Sequence, residues 1–398
     1  MIKMINSKLY FPAILALGVI SRIVSIEYFG DIHIDNEWGI ILFNLENNSI
    51  LGFREIEGKI FPNIFMPPLY PLFLFIIKTV NPFDQLFVKS VLYVHLAISV
   101  MTIIYFRKIL LNFFPKNLSD LGTFIFSLFP LYVYSVSQIS SLSLQVFLIV
   151  LFFYYLLEIL EKPRLKRLIY FSIFSGLLIL LRGEFFVVYF LTLIFIYLLS
   201  KNLKNIIIIF FVTLILVSPY LARNLKIFET ITITKSVGYN LWKGNNLYSK
   251  VEGNEKIYDK NMQESINAIE PSLKYDLHID EIYRLEAVKN IKSDPLRYLL
   301  LYFKKLFAFI FIDFDSTYPN YYNLLHIVPK ILISITSFLG IIFLLRKKNI
   351  LNYFSLFYLF NISLFSVFFI LPRYSLILLP VQIILTCYFI KKKLKFNI

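Results

Sequence analysis

Four ionisable side chains lie within seven residues directly after the first long apolar stretch of the chain. The segment reads Asp31-Ile32-His33-Ile34-Asp35-Asn36-Glu37, and Trp38 follows it. A carboxylate at the edge of a low-dielectric region has a raised pKa and becomes a better base, while a nearby cation keeps it ionised. The segment is therefore a candidate for acid-base chemistry. Two alternatives stay open: a solvated loop, and an N-cap at Asp35 for a helix that begins near Trp38.

The same segment contains potential metal ligands. His33 together with Asp35 or Glu37 offers two or three ligands. So few ligands without a fixed geometry specify no particular ion. A divalent metal is therefore an open alternative, and the pattern requires no cofactor.

A second set of charged residues lies at the ends of apolar stretches. Charges inside a membrane or at its edge are costly, so a functional role is the first expectation for them. Snorkelling is the alternative, and Arg22, about 10 Å from the end of its helix at 1.5 Å per residue, is within reach of the surface. Several cations on one side favour an anionic ligand, and phosphate fits because Arg binds it bidentately. The set consists of Arg22, Lys89, Arg182 with Glu184 beside it, Arg223 and Arg373.

Aromatic and amide side chains are interleaved further along the chain. The segment 238–246 reads Gly-Tyr-Asn-Leu-Trp-Lys-Gly-Asn-Asn. Aromatic rings stack on the apolar face of a sugar, and amides pair with its hydroxyl groups. Tyr239, Asn240, Trp242 and Asn245 are therefore candidate sugar-binding residues. The alternative is an ordinary Gly-Asn turn with an interfacial Trp.

The composition identifies the kind of element that must position these residues. Of 398 residues, 58% are apolar and 16% are charged, whereas about a quarter of residues are charged in an average soluble domain. A soluble globular chain is excluded because no sphere of this size has interior enough for so many apolar side chains. The single cysteine, Cys387, excludes an intramolecular disulfide framework and a zinc ribbon.

The apolar stretches predict about 10 transmembrane helices, since a bilayer core needs about 20 apolar residues per helix. Two further stretches, 66–80 and 296–314, are predicted not to cross. The first begins with three prolines, and the second is interrupted by Lys304 and Lys305. The predicted spans are 9–28, 86–106, 121–136, 144–160, 168–181, 185–199, 206–222, 327–345, 350–371 and 374–390.

The distribution of charge predicts the orientation of these helices. Eighteen Lys and Arg residues lie in the loops and tails that the arrangement places in the cytoplasm, as the positive-inside rule requires. Both termini are then cytoplasmic, in a multi-pass protein of the inner or plasma membrane. The first apolar stretch lacks a small-residue cleavage pattern and is expected to stay as an anchor. The net charge of +15 requires no nucleic-acid partner.

The acidic residues predict the domain organisation. Seventeen of 25 lie in two segments predicted to face outward, six in 30–61 and eleven in 223–296. The second segment also holds eleven Lys and Arg residues and many turn formers, which predicts a small folded extracytoplasmic domain. We therefore expect a transmembrane module 1–222 with a first outward loop 30–85, an extracytoplasmic domain 223–296, and a juxtamembrane helix with C-terminal transmembrane helices in 297–398.

In this order, the segments resemble the GT-C membrane glycosyltransferases of the protein O-mannosyltransferase and aminoarabinose transferase type (glycosyltransferase family 39 and its bacterial relatives). The resemblance covers most of the chain. It is carried by Asp35-Asn36-Glu37-Trp38, Pro67-Pro68-Leu69-Tyr70-Pro71, Ser218-Pro219-Tyr220-Leu221-Ala222-Arg223-Asn224, the segment 238–245 and Pro372-Arg373-Tyr374.

The resemblance implies an all-α GT-C fold with juxtamembrane helices, and a glycosyltransferase as the activity. Such an enzyme takes a sugar from a polyprenyl-phosphate carrier and passes it to a protein, lipid A or glycan acceptor outside the cytoplasm; direct displacement predicts inversion. The family pattern places a catalytic acid in the first outward loop. Here this is Asp35, with Glu37 as the second candidate, because Asn36 separates two acids that are usually adjacent.

The remaining roles follow from the same resemblance. The donor phosphate would be bound by Lys89, Arg182, Arg223 and Arg373, and substrate by Tyr70, Tyr239, Asn240, Trp242 and Asn245. The chain departs from its relatives where 140–145 lacks an acid and where Lys89 stands in place of an Arg.

Two other functions stay open. A transporter or flippase of a lipid-linked sugar shares the anionic lipid and the outward cations. Translocation needs polar groups near the bilayer midplane, and few ionisable residues lie in mid-helix. A glycan polymerase or ligase uses similar donors. All of these interpretations require membrane lipids as partners, and none requires nucleic acid.

Overall fold

The computed structural model describes residues 7–34, 36–56, 58–81, 83–319, 321–344 and 350–393, with the side chains of 7–9, 84 and 85 left aside. Helix accounts for 74% of the structure, and strands are almost absent from the described residues. The prediction of a helical protein built from apolar helices is confirmed.

The first part of the chain alternates long apolar helices with short connecting helices. Asn36 caps the second helix, because its side chain accepts a hydrogen bond from the Trp38 amide at 3.1 Å. The helices are α1 Ser7–Phe29, α2 Glu37–Asn48, α3 Leu69–Val80, α4 Asp84–Leu111, α5 Lys116–Ser127, α6 Pro130–Ser135 and α7 Leu142–Glu161. An antiparallel hairpin of β1 Arg54–Ile56 and β2 Lys59–Phe61 lies between α2 and α3 and pairs Glu55 with Ile60.

The second part begins with three apolar helices, continues through polar helices and returns to apolar ones. Side chains of Asn202, Asp259 and Asp294 cap α10, α12 and α14. The helices are α8 Leu165–Leu181, α9 Phe185–Ser200, α10 Leu203–Phe228, α11 Val237–Asn245, α12 Lys260–Asn267, α13 Tyr275–Ser293, α14 Pro295–Ile310, α15 Leu324–Leu344, α16 Leu351–Ser366, a 3-10 helix Pro372–Ile377 and α17 Leu379–Lys393.

Five helices in the described part of the chain are long and apolar enough to cross a membrane. They are α1 from Tyr10, α4 from Leu86, and the whole of α7, α10 and α15. The apolar helices α3 and α9 are shorter, with 12 and 16 residues, and a straight crossing needs about 20. The chain is therefore compatible with a multi-pass membrane protein.

Two predicted spans differ from the helices of the structure. The predicted span 121–136 is broken, because α5 ends at Ser127 and α6 begins at Pro130; proline lacks the N–H that would continue the helical ladder. The predicted span 374–390 begins as the 3-10 helix and becomes α-helical only at Leu379. The predicted non-crossing stretches contain α3 and α14, of 12 and 16 residues.

The apolar side chains form two separate clusters. The larger one joins the long helices. The smaller one is centred on Trp242 and lies in α11, α12 and α13, within the predicted domain 223–296. An ion pair between Arg54 of β1 and Asp276 of α13, at 2.6 Å, joins the hairpin to this smaller cluster, so the first long loop and the 223–296 segment lie at the same end of the helical bundle.

Candidate functional site

Hydrogen bonds of Asp31 connect the acidic loop after α1 to the turn between α6 and α7. Its backbone N–H donates to the Ser137 carbonyl at 2.9 Å, and its carboxylate accepts from the Ile139 amide at 2.6 Å. Gln138 in the same turn donates to the Phe29 carbonyl at 2.9 Å. The carboxylate of Asp31 thus has a fixed position at the end of the bundle that carries the first loop.

Tyr70, a predicted substrate-binding residue, is fully buried in α3 behind this loop. Its ring meets Trp38 edge-to-face at 5.2 Å, and its hydroxyl lies 3.4 Å from His95 Nε2 in α4. Burial raises the pKa of Tyr70 well above its usual value, and the charge of Asp31 adds to the rise. Tyr70 therefore stays a neutral phenol whose contacts join α2, α3 and α4.

Of the two acids predicted to be catalytic, only Glu37 belongs to the described part of the chain. Asp35 falls outside the described residues. Glu37 is exposed in the first turn of α2, where the helix dipole favours a negative charge. The cap of α2 is Asn36 rather than Asp35, so the alternative that made Asp35 the N-cap is wrong; the amide one position later reaches the Trp38 N–H.

Arg182 and Glu184, at the junction of α8 and α9, line a small cavity together with two buried amides, Gln145 of α7 and Asn361 of α16. The guanidinium Nε of Arg182 lies 3.7 Å from the Glu184 carboxylate, within ion-pair range but too far for a hydrogen bond. This Nε and the amide oxygen of Gln145 are buried without a hydrogen-bond partner in the described part of the chain. Unsatisfied polar atoms facing a cavity indicate a ligand or ordered water.

Apolar side chains line the same cavity. Ile149 of α7, Val188 of α9 and Phe357 of α16 line it together with neighbouring residues of the same helices. A cavity lined by charged, amide and apolar side chains suits an amphiphile, whose polar head would meet Arg182 while its chain lies against the helices.

Arg373 is exposed, and the next residue, Tyr374, lies near Arg182. The guanidinium of Arg182 is 5.8 Å from the centre of the Tyr374 ring, and the charges of both Arg182 and Arg373 act on the Tyr374 hydroxyl. Tyr318 interacts electrostatically with Tyr374 and with Tyr134, and Tyr134 also interacts with Asp31. Electrostatic interactions therefore connect the two arginines with the acidic loop through Tyr374, Tyr318 and Tyr134.

The other two predicted phosphate ligands lie elsewhere. Lys89 is exposed on α4, 3.6 Å from the Glu27 carboxylate of α1. Arg223 of α10 donates to the Asn63 carbonyl at 2.7 Å and to the Asn224 side chain at 2.7 Å. Its guanidinium thus holds the end of the first long loop.

Of the residues predicted to bind sugar, the aromatic ones pack against other side chains, and Asn245 forms hydrogen bonds between elements. Trp242 is 2% exposed in the smaller apolar cluster, and Tyr239 packs against Phe65 of the first loop at 5.4 Å. Asn240 is partly exposed in α11. Asn245 is buried; its amide donates to the Val367 carbonyl at 2.9 Å, and its oxygen accepts from Lys305 at 3.1 Å.

Gln145 and Asn361 are site residues that sequence reasoning did not single out. Gln145 is the one amide of α7 and Asn361 is one of two in α16, both of them mostly apolar helices, and a buried amide needs partners. That signal was available from the sequence. The sequence could not show that these two amides line one cavity with Arg182, because the three residues come from helices far apart in the chain.

The described part of the chain contains no cluster of metal ligands around which a metal site could form. His33 is exposed, and no group of three or more His, Cys, Asp or Glu side chains lies together among the described residues.

No protein-family model matches the chain, and no curated protein matches it either.

Proposed function

We propose that this chain is a GT-C membrane glycosyltransferase that transfers a sugar from a polyprenyl-phosphate carrier to an acceptor outside the cytoplasm. The observation that carries the proposal is the cavity that Arg182, Gln145 and several apolar side chains line together. A lipid phosphate has the matching chemistry, since it is an anion attached to a long apolar chain.

Arg182 and Arg373 would hold the donor phosphate in this arrangement. Nε of the Arg182 guanidinium has no hydrogen-bond partner among the described residues, and both arginines interact electrostatically with Tyr374. Guanidinium groups bind phosphate through paired hydrogen bonds. The carrier chain would lie along Ile149, Val188 and Phe357, and the amides of Gln145 and Asn361 would be available to sugar hydroxyl groups.

The proposed chemical step is a direct displacement at the anomeric carbon. Asp35 of the acidic loop takes the proton of an acceptor hydroxyl or amine, with Glu37 as the second candidate base. The acceptor attacks the anomeric carbon, the bond from that carbon to the phosphate oxygen breaks, and the lipid phosphate leaves with both electrons. The arginines stabilise the negative charge that develops on the leaving group. The sugar inverts its anomeric configuration because the displacement is direct.

The same proposal includes the topology. Ten crossings with both termini in the cytoplasm put the acidic loop, the segment 223–296 and Arg373 on the outer side. Supporting this arrangement, the loops assigned to the cytoplasm are rich in Lys and Arg. The extracytoplasmic segment would then present the acceptor to the loop that carries Asp35.

Transfer by the purified full chain in proteoliposomes tests the proposal. Radiolabelled polyprenyl-phosphate sugars are supplied in the leaflet facing the 223–296 segment, together with acceptors extracted from the host, and products are identified by mass spectrometry. We expect a labelled acceptor with the wild-type chain and none with Asp35→Asn. Glu55→Gln, at an exposed position of β1, is the matched control and should retain transfer.

The outcomes separate the competing functions. Unaltered turnover in Asp35→Asn would remove Asp35 from the role of base. Movement of the donor to the opposite leaflet without any labelled product would identify a transporter or flippase. Growth of one glycan by repeated addition would identify a polymerase.

A further inference from the structure

One face of α14 carries large apolar side chains that the described residues leave largely uncovered. At 3.6 residues per turn, these side chains fall within an arc of about 100° around the helix. The opposite face is buried against the rest of the protein through Tyr298, Leu301 and Ala308. The exposed side chains, each between 44% and 66% exposed, are called the α14 stripe and belong to Leu296, Leu299, Leu300, Phe303 and Phe307.

α14 runs across the end of α16 rather than alongside it. The Tyr302 hydroxyl donates to the Ser363 carbonyl at 3.4 Å, and the Phe309 ring lies 5.9 Å from the Phe365 ring. Tyr302 and Phe309 are about 10 Å apart along α14, whereas both of their partners lie in the last turn of α16. The 16 residues of α14 also span only about 24 Å, and a bilayer core is about 30 Å thick.

The α14 stripe leads into the exposed surface of a helix that can cross a membrane. Phe314, just beyond α14, is exposed, and its ring stacks on Phe307 of the stripe at 5.9 Å. The hydroxyl of Ser334 in α15 donates to the Ile310 carbonyl at the end of α14, so the two helices are in contact. α15 is long and apolar enough to cross a membrane. Its first two turns expose Leu324, Leu325 and Val328.

The charges of α14 indicate the kind of lipid that would meet the stripe. The helix contains three cations and no acid. Arg297 and Lys304 lie two turns apart on one edge of the stripe, and neither belongs to an ion pair within the described residues. The third cation, Lys305, is buried. Cations beside an apolar face of Leu and Phe are typical of a helix that lies in an anionic lipid surface.

We propose that α14 binds anionic phospholipid and lies in the plane of the membrane. The stripe would lie among the acyl chains, and Arg297 and Lys304 would extend to the phosphate groups. Because α14 follows α13 after the single residue Asp294, this contact would hold the 223–296 segment at the membrane surface. None of the stripe residues lines the Arg182 cavity, so the lipid contact does not depend on the proposed transferase function.

The depth of spin labels on the full chain tests the position of the stripe. Cys387, the single native cysteine, is replaced by Ser, and labels are attached to Leu300→Cys, Phe303→Cys or the control Glu264→Cys, an exposed position of α12. The chain is placed in liposomes of phosphatidylcholine and phosphatidylglycerol. We expect the stripe labels to collide more often with oxygen than with a water-soluble nickel chelate, and the control label to show the reverse.

Two results of this measurement would overturn the proposal. Preferential collision of the Leu300 and Phe303 labels with the nickel chelate would place the stripe in water. Protection of both labels from both reagents would show that protein, such as a second copy of the chain, covers the stripe instead of lipid.

Fluorescence quenching by brominated lipids tests the choice of headgroup. A bimane label on Leu300→Cys is quenched by brominated acyl chains of phosphatidylglycerol or phosphatidylcholine, supplied in mixtures at low salt. We expect phosphatidylglycerol to be preferred, and Arg297→Gln or Lys304→Gln to lower this preference by about fivefold each. Lys289→Gln is the control, because Lys289 faces Glu286 at 3.0 Å, and it should keep the original preference. Equal quenching by both lipids in the parent chain, or an unaltered preference in the Arg297→Gln, Lys304→Gln double variant, would refute the anionic-lipid contact.

Discussion

Replacing Lys305 by Met should change the pH dependence of stability in a way that its exposed neighbour Lys304 should not. Lys305 is fully buried in α14. Its ammonium donates to the Gly244 carbonyl at 2.7 Å and to the Asn245 side chain at 3.1 Å. Burial lowers the pKa of Lys305 from 10.5 to about 7.

The sign of the effect follows from proton binding in the two states. Between pH 7 and pH 10.5 the unfolded chain keeps the proton on Lys305 and the folded chain loses it. Stability therefore rises with pH across this window, by up to about 1.4 kcal/mol per pH unit. Below pH 7 Lys305 is charged in both states, and the folded state then bears the full desolvation cost of the buried ammonium group.

The magnitude can be worked out for one comparison. With these two pKa values, the cost of burying Lys305 falls by about 2 kcal/mol between pH 7 and pH 9. Lys305→Met removes this pH-dependent cost of burial. It also leaves the two acceptors unpaired, which costs about 1–3 kcal/mol each but does not depend on pH. The stability of wild type relative to the variant should thus increase by about 2 kcal/mol from pH 7 to pH 9.

Denaturant unfolding of the purified chain at pH 7, 8 and 9 measures this difference. Other titrating groups are common to both proteins and cancel. Lys304→Met, at an exposed position of the same helix, should differ from wild type by an amount that is constant over the same pH values. A wild-type minus Lys305→Met difference that does not change between pH 7 and pH 9 would refute the reasoning.

Three further substitutions probe the site and its supports. Arg182→Gln should weaken the binding of farnesyl phosphate, measured by calorimetry, by about 10- to 100-fold, because a charged hydrogen bond is worth about 1.5–3 kcal/mol. Lys89→Gln, at a residue that faces Glu27, is the control and should change this affinity less than threefold. Equal losses of affinity in the two variants would contradict a special role for Arg182. Gly244→Ala should destabilise the chain by about 1–3 kcal/mol, because a Cβ there would overlap the Phe368 carbonyl oxygen. An unchanged denaturation midpoint would contradict this steric role of Gly244. Trp242→Ala should lower the free energy of unfolding by about 3–5 kcal/mol, because the ring is buried in the smaller apolar cluster. Limited proteolysis of this variant should then cut within 229–293. A wild-type cleavage pattern would contradict the packing role of Trp242.

The helical nature of the chain and its membrane character were predictable from local sequence. Apolar content over a stretch of about 20 residues depends on neighbours in the chain, and the long apolar helices α4, α7 and α10 lie where this pattern indicates. Helix ends were less predictable, because they depend on single side chains. Asn36 rather than Asp35 caps α2, and Pro130 divides a stretch that hydropathy alone joins.

The partners of the charged residues were decided only by the tertiary structure. The sequence grouped Lys89, Arg182, Arg223 and Arg373 by type and predicted side. Folding directs Arg223 to the Asn63 carbonyl, 160 positions away, and leaves Lys89 facing Glu27. Arg182 lies instead among amides from α7 and α16. Hydropathy is a property of one segment, whereas a hydrogen bond between helices depends on which faces meet when several segments pack.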